Sequence, residues 1–331
     1  MPRRPNLDRR IPVRAVIVLE KGSAPVLAEI PVPDPAPGEV RLRIRACGLN
    51  FADLLTMRGA YQERPPFPLV PGMEVSGEVD AWGSGVDGWV PGDRVAAVAT
   101  SGGLAEFGCF PAARLVRLPA GMDFETAAAF QIAYGTSHLA LARRAGLSPG
   151  ETLLVTGAAG GAGLAAVEIG RLTGARVIAV ARGAAKLSAA RQAGADACLD
   201  SDEPDLAGRI RALGGADVAY ETVGGALFRA ALSSLRPEGR LLVIGFASGT
   251  VPEIPANHLL VKNVSVIGFW WGGYQSFAPA AVADSLATLF AWHAGGRLSP
   301  HIGHRLPLDR AAEGFALLRE RAATGKVVVT I

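Results

Sequence analysis

Thr152-Leu-Leu-Val-Thr156-Gly157-Ala-Ala-Gly160-Gly161-Ala-Gly163 decides the fold. Five strand-forming residues run without a spacer into a glycine-rich turn, and the turn into the apolar stretch Leu164-Ala-Ala-Val-Glu-Ile169. Strand, tight glycine turn and helix is the order a dinucleotide pyrophosphate needs. The glycines allow close backbone approach, and the helix N-terminus presents unpaired N–H groups with partial positive charge. The glycines are spaced G-x-x-G-x-x-G, one residue longer than the commonest fingerprint. Gly157, Gly160, Gly161, Ala162 and Gly163 are the expected contacts.

Downstream of the turn, strand and helix patterns alternate. Strand candidates are Thr152–Thr156, Arg176–Ala181, Ala197–Leu199, Val218–Glu221, Arg240–Gly245 and Val264–Gly268; helices fall at Gly161–Thr173, Ala184–Ala193, Leu206–Leu213 and Gly225–Leu235. That rhythm predicts an α/β class with a doubly wound parallel-sheet Rossmann domain. Before about Gly121 the texture differs. Short strands at Arg14–Leu19, Glu39–Ala46, Val75–Asp80 and Arg94–Ala99, bounded by Gly, Pro or Asp, predict a mainly antiparallel β domain. A helix at Ala280–His293 and a strand at Lys326–Ile331 make too small a piece to stand alone, so the C-terminus is expected to rejoin the first domain. The expected division is a tail over 1–12, the β domain over 13–122, the nucleotide domain over 123–268 and the return over 269–331.

Bulk properties exclude several classes. The net charge of +3 equals the balance of Arg3, Arg4, Arg9 and Arg10 against Asp8. The remaining body is neutral, and no basic stripe points to nucleic acid. The N-terminal run lacks an apolar core and does not read as a secretory signal. No uninterrupted apolar stretch reaches the length of about eighteen residues that a membrane helix requires. Cys47, Cys109 and Cys198 are odd in number and widely spaced, which predicts free thiols and a cytoplasmic protein. No Ser/His/Asp or Cys/His arrangement supports hydrolase chemistry.

The second strand of the nucleotide domain selects the cofactor. Folds that bind NAD place Asp or Glu about 20 residues beyond the glycines, to hold the ribose 2′-hydroxyl. Here Val177-Ile-Ala-Val-Ala181 ends in Arg182, with Lys186 one helical turn on and no carboxylate before Asp196. A guanidinium holds a 2′-phosphate that an acid would repel, so NADPH is expected. The loops Glu221–Gly225 and Gly245–Gly249 follow strands at the carboxyl edge of the sheet, and Gly224, Gly245, Phe246 and Ala247 are further candidates. Tyr134, Phe269, Trp270 and Trp271 supply aromatic surface for a planar ligand.

Several motifs together are recognisable: Cys47-Gly-Leu-Asn-Phe-Ala-Asp53, Arg58-Gly-Ala-Tyr61, Pro71-Gly-Met-Glu74, Gly92-Asp-Arg-Val95, Gly157–Gly163, Lys262–Gly268 with Phe269-Trp-Trp-Gly272, and Gly325-Lys-Val-Val-Val329. Over nearly the whole chain they resemble the medium-chain dehydrogenase/reductase superfamily, in its NADPH:quinone oxidoreductase branch, which includes the zeta-crystallins. The resemblance implies that the β domain is GroES-like. In the zinc alcohol dehydrogenase relatives a Cys ligand stands where this chain has Asn50, and a His ligand where it has Met73. Neither replacement ligates zinc, and the four-cysteine structural cluster is missing, so no metal is expected. His301 and His304 lack neighbouring ligands and read as surface or packing residues. Without a Lewis acid the expected reaction is hydride transfer to an electron-poor acceptor, a quinone or enone. The resemblance also implies Asn50 beside the nicotinamide, Tyr61 as a proton donor or pocket wall, Thr136 and Lys326 among the cofactor contacts, and a homodimer. An enoyl or alkenal reductase and a non-catalytic NADPH-binding protein remain alternatives.

Overall fold

Residues 12–331 are described by the computed structural model, so the tail expected over 1–12 lies almost wholly outside the described residues. By their contacts the described residues divide into two units. One comprises residues 12–131 with Ile302–Ile331, the other Ile132–His301.

The first unit opens with β1 (Pro12–Ile17), β2 (Val26–Pro31), β3 (Glu39–Leu49), α1 (Phe51–Met57), β4 (Glu74–Trp82), β5 (Arg94–Val98), β6 (Phe107–Pro111), β7 (Leu115–Arg117) and α2 (Phe124–Ala128). The second holds α3 (Gln131–His138, straddling the division), β8 (Thr152–Thr156), α4 (Gly161–Thr173), β9 (Arg176–Ala181), α5 (Ala184–Gln192) and β10 (Ala197–Asp200). It continues through α6 (Leu206–Ala212), β11 (Ala216–Glu221), α7 (Gly225–Ser233), β12 (Leu235–Val243), α8 (Ala256–Lys262), β13 (Ser265–Gly268), α9 (Trp271–Phe277) and α10 (Pro279–Ala294). The chain then returns to the first unit as β14 (Ile302–Pro307), α11 (Ala311–Arg319) and β15 (Lys326–Thr330).

In the second unit a six-stranded sheet has the order β10-β9-β8-β11-β12-β13, and every pairing is parallel. This is the doubly wound Rossmann order, and the direction of winding reverses between β8 and β11, where such sheets bind ligands. β8 is buried along its whole length because crossover helices cover both faces of a parallel sheet. Leu154, Ile178, Val180, Phe228 and Leu241 form the core beneath the crossover helices.

In the first unit the long sheet runs β14-β15-β3-β4-β5-β7, with β6 also paired to β3. All of its pairings are antiparallel except β14 with β15. β3 is the spine because it pairs with β4, β6 and β15. Leu42, Ile44, Leu49, Leu104 and Phe110 are fully buried around it. The class expected from the sequence, a parallel Rossmann-type sheet plus a mainly antiparallel GroES-like domain, is the class observed.

Differences from the expected elements have local causes. β12 begins at Leu235 rather than Arg240. Glu238 adopts a left-handed φ of 65° in that stretch, which lets the chain pass the Pro237–Gly239 punctuation and stay in the sheet. Trp270 and Trp271 do not continue a strand; they are the N-cap and first residue of α9. Residues 123–131 belong with the first unit, where α2 packs on β3 and β4. Residues 269–301 belong with the second, where α10 packs on α9 and on the π-helical turn Leu139–Ala145.

Candidate active site

The glycine turn joins β8 to α4 at the point where the winding reverses. Gly157 has a φ of 61°, and a Cβ there would meet Thr222 Oγ1 at 2.4 Å. A Cβ on Gly163 would lie 2.2 Å from the Gly157 carbonyl oxygen. The protein's own packing therefore demands glycine at both. Gly160 is different: its φ is −79° and its nearest neighbour would be 3.5 Å from a Cβ. Nothing in the chain itself requires glycine there. Gly160 is also the N-cap of α4, with no capping side chain and no acid in the first turn. The result is an open cradle of uncapped N–H groups that a Cβ would partly fill, which fits a bound pyrophosphate.

The cradle is braced from β11. Thr156 Oγ1 donates to Glu221 Oε1 at 2.9 Å, and Thr222 Oγ1 donates to the Thr156 carbonyl at 2.9 Å. Glu221 also accepts from Val223 N at 2.8 Å and Gly224 N at 2.9 Å. Burial pushes the Glu221 carboxyl above the usual range, while the N–H donors pull the other way. The Phe246–Gly249 loop then closes on the same strand end. Ala247 N donates to the Thr222 carbonyl at 3.1 Å and Ser248 N to the Val223 carbonyl at 2.8 Å. Gly224, at φ 80°, is required because a Cβ would reach the Thr250 carbonyl at 2.5 Å. Sequence reasoning found these loops but not Glu221, whose buried carboxylate ties them together.

At the end of β9, Arg182 is exposed and its Nε lies 3.3 Å from Asp202 Oδ2. Lys186 is half-buried in the first turn of α5; burial, then the Arg182 charge, lowers its pKa. Tyr134 is buried, and its hydroxyl donates to Glu168 Oε2 on α4 at 2.5 Å. Thr136 is half-buried on α3. Phe269 is buried against Tyr274, with ring centroids 5.2 Å apart. Of the adjacent tryptophans, Trp270 is 39% exposed and Trp271 is 5% exposed.

The first unit carries a separate polar cluster, buried where β3, β4 and β15 lie side by side. Lys326 Nζ is 2.8 Å from Glu74 Oε2 and 2.8 Å from Asn50 Oδ1. Asn50 Nδ2 donates to Glu74 Oε2 and to the Gly48 carbonyl, both at 3.1 Å. Lysine can only donate and a carboxylate can only accept, so the Asn50 amide has one permitted orientation. Asp53, three residues on, accepts from Asn50 N at 2.8 Å and Gly72 N at 3.1 Å. Burial raises its carboxyl to about 7, against these two donors and the Lys326 charge. Burial also drives the Cys47 thiol well above its ordinary value, so it is an inert packing residue.

The sequence pointed to Asn50 and Lys326, and to Glu74 as an internal ion-pair or turn-support residue, but not to Glu74 as the common partner of the other two. Both Asn50 amide hydrogens face acceptors in the chain, and its Oδ1 faces Lys326 Nζ and the start of α1. Tyr61 sits half-buried in the irregular segment after α1. Among the described residues no group of three or more His, Cys, Asp or Glu side chains could hold a metal ion. No helix among them is long and apolar enough to cross a membrane.

Comparison with known proteins agrees with this architecture. Residues 36–120 match the alcohol dehydrogenase GroES-like domain, and residues 161–286 match a family described as zinc-binding dehydrogenase. A quinone oxidoreductase-like protein 2 from Bos taurus is 38% identical over 322 residues, covering 96% of this chain and 92% of its own. The quinone oxidoreductase of Thermus thermophilus, solved also in complex with NADPH, is 36% identical with a TM-score of 0.83, over 96% of this chain and 100% of its own. A mycobacterial protein complexed with NADPH superposes with a TM-score of 0.91 at 32% identity, over 96% and 100% of the two chains. The parallel six-stranded sheet with its mainly antiparallel companion, the glycine cradle at the β8–β11 reversal and these similarities together place the chain in the quinone oxidoreductase branch of the medium-chain dehydrogenase/reductase superfamily.

Proposed function

We propose that this oxidoreductase is zinc-independent and passes a hydride from NADPH to a quinone or a similarly electron-poor conjugated carbonyl. The observation that carries the reading is an uncapped anion cradle at Gly160 combined with a cation, Arg182, where an NAD-binding fold would need an acid. The NADPH complexes of the Thermus and mycobacterial relatives support the same cofactor. The donor set supports zinc independence, since Asn50 and Met73 offer neither thiolate nor imidazole.

Bound NADPH would supply the hydride, and the protein supplies orientation and electrostatics. In this reading the N–H groups of Gly161 to Gly163 hold the pyrophosphate, with Gly157 shaping the turn and Gly160, whose own N–H is tied to the Gly157 carbonyl, leaving room for its approach. Arg182 and Lys186 hold the 2′-phosphate. Gly224, Gly245, Phe246 and Ala247 line the path toward the nicotinamide, with Tyr134, Thr136, Phe269 and Trp270 from the same unit shaping the cofactor's surroundings. Asn50, locked by Glu74 and Lys326, is in this reading the polar residue beside the nicotinamide and its ribose. Lys326 acts chiefly by fixing that amide, because its ammonium already meets Glu74 and Asn50. Tyr61 supplies the proton that accompanies the hydride, with its phenol O–H as the donor.

The reading extends to assembly and place. β13 is one of the two edges of the six-stranded sheet, and Leu260 and Val261 on neighbouring α8 are 77% and 74% exposed, which suits a homodimer joined along that edge. The three free cysteines suit a reducing cytoplasm.

A panel of quinones and 2-enoyl thioesters, assayed by NADPH oxidation in the wild type and Tyr61→Phe, tests the reaction. Turnover of quinones is expected. Turnover of enoyl thioesters alone, abolished by Tyr61→Phe, would make the chain an enoyl reductase. Tight NADPH binding with no turnover of any acceptor would make it a non-catalytic binding protein.

A further inference from the structure

Arg182 meets a carboxylate before any ligand arrives. Gly183, the residue before α5, gives its N–H to Asp200 Oδ2 at 2.9 Å. The other oxygen of Asp200 accepts from Asp202 N at 3.0 Å, and Ser201 N donates to the Ala181 carbonyl at 3.0 Å. One carboxylate thus ties the turn after β9 to the turn after β10. That clip sets Asp202 opposite Arg182, with Oδ2 3.3 Å from Nε. The N–H groups of Asp202 and Gly183 hold the Asp200 carboxyl below its ordinary range, and the Arg182 charge adds to this.

Arg182 therefore meets two carboxylates, Asp200 and Asp202, with the Lys186 ammonium near enough to feel its charge. A dinucleotide ending in a 2′-hydroxyl leaves the Arg182–Asp202 pair intact. One ending in a 2′-phosphate must share the guanidinium with Asp202, which engages its Nε, and so lie close to a second negative charge. Both side chains are about two-thirds exposed, at 67% and 64%, so their pair contributes little to the fold and can be exchanged for a ligand contact.

We propose that Asp202 is a specificity-determining residue: a built-in competitor for Arg182 that holds the preference for the phosphorylated dinucleotide below what Arg182 and Lys186 alone would give. The proposal rests on the NADPH reading above.

Calorimetric titration of the full-length protein with NADP⁺ and NAD⁺ tests it, using wild type, Asp202→Asn, Asp202→Ala, Arg182→Ala and the Arg182→Ala/Asp202→Asn double variant. Removing the competitor should tighten NADP⁺ about threefold to tenfold and leave NAD⁺ within about twofold, the scale of an exposed ion pair plus relieved repulsion. In the Arg182→Ala background the gain should shrink to about twofold or less, because the guanidinium being competed for is gone. The same ordering is expected with 2′,5′-ADP against 5′-AMP, which isolate the phosphate. A wild type that prefers NADP⁺, with Asp202 variants that leave it unchanged or shift both dinucleotides alike, overturns the inference alone. A wild type that binds both alike, with Arg182→Ala weakening both alike, overturns the cofactor reading and the inference with it.

Discussion

Replacing Lys326 by Met should be among the most damaging single changes in the first unit. The Lys326 side chain is 6% exposed, its partner Glu74 is fully buried, and their charged atoms are 2.8 Å apart. Deleting the ammonium leaves the Glu74 carboxylate enclosed, and deleting one partner of a buried pair costs about 3–5 kcal/mol. At ~2–4 °C per kcal/mol for a domain of this size, the midpoint of that unit should fall by about 6–20 °C. Glu74→Gln should be similarly costly because it strands the ammonium. The double variant should be much less damaging than the sum of the singles, with a coupling of about 1–3 kcal/mol, since neither charge is then left unpaired. Scanning calorimetry of the four proteins at one pH gives the cycle. Additive singles, or singles costing under about 1 kcal/mol, would refute the argument that this pair is desolvated and mutually dependent.

Other consequences are open to direct measurement. Gly163→Ala forces a Cβ to 2.2 Å from a carbonyl oxygen and should both destabilise the second unit and abolish NADPH binding. Gly160→Ala meets only ordinary contact at 3.5 Å, so its melting temperature should stay near wild type while NADPH affinity drops about tenfold or more, by equilibrium titration. Glu221→Gln turns an amide N–H toward backbone donors, and should cost about 1–3 kcal/mol and weaken NADPH binding with it, read by calorimetry and titration. Asp53 has a carboxyl raised to about 7 from an ordinary 3.8, so the folded chain binds the extra proton between those values. Its contribution to stability is complete below about pH 4, is lost as pH rises toward 7 and is flat above that. Thermal midpoints from pH 5 to 8 should show this decline in wild type and less of it in Asp53→Asn.

The nucleotide half of the molecule was legible because its signals are local. β8, α4 and β9 coincide with their sequence patterns, since a buried parallel strand reads as an apolar run and a glycine turn marks where it ends. Punctuation misled at β12: Pro237 and Gly239 look like a loop, yet with Glu238 left-handed the chain bulges between Leu235 and Arg240 and resumes the same strand. Helices α8, α9 and α11 were missed because short elements with broken apolar patterns carry little periodicity. The Glu74–Lys326 pair was hidden for another reason. Its partners are 252 residues apart, and only the order β15-β3-β4 brings them together. A signal did exist. A lysine opening the otherwise apolar run Val327–Val329, and a glutamate opening β4, are charges on strands that must be buried, and each needs a partner. Asp202 was equally hidden, because it reaches Arg182 across two strand ends rather than along the chain.

The most direct test of zinc-free, NADPH-dependent quinone reduction is steady-state oxidation of NADPH and NADH with one quinone acceptor, before and after exhaustive dialysis against a chelator. The expected result is a kcat/KM at least about tenfold higher for NADPH, a difference of ~1.4 kcal/mol in transition-state binding, unchanged by the chelator. A preference for NADH, or activity that disappears with the chelator and returns with zinc, would contradict it.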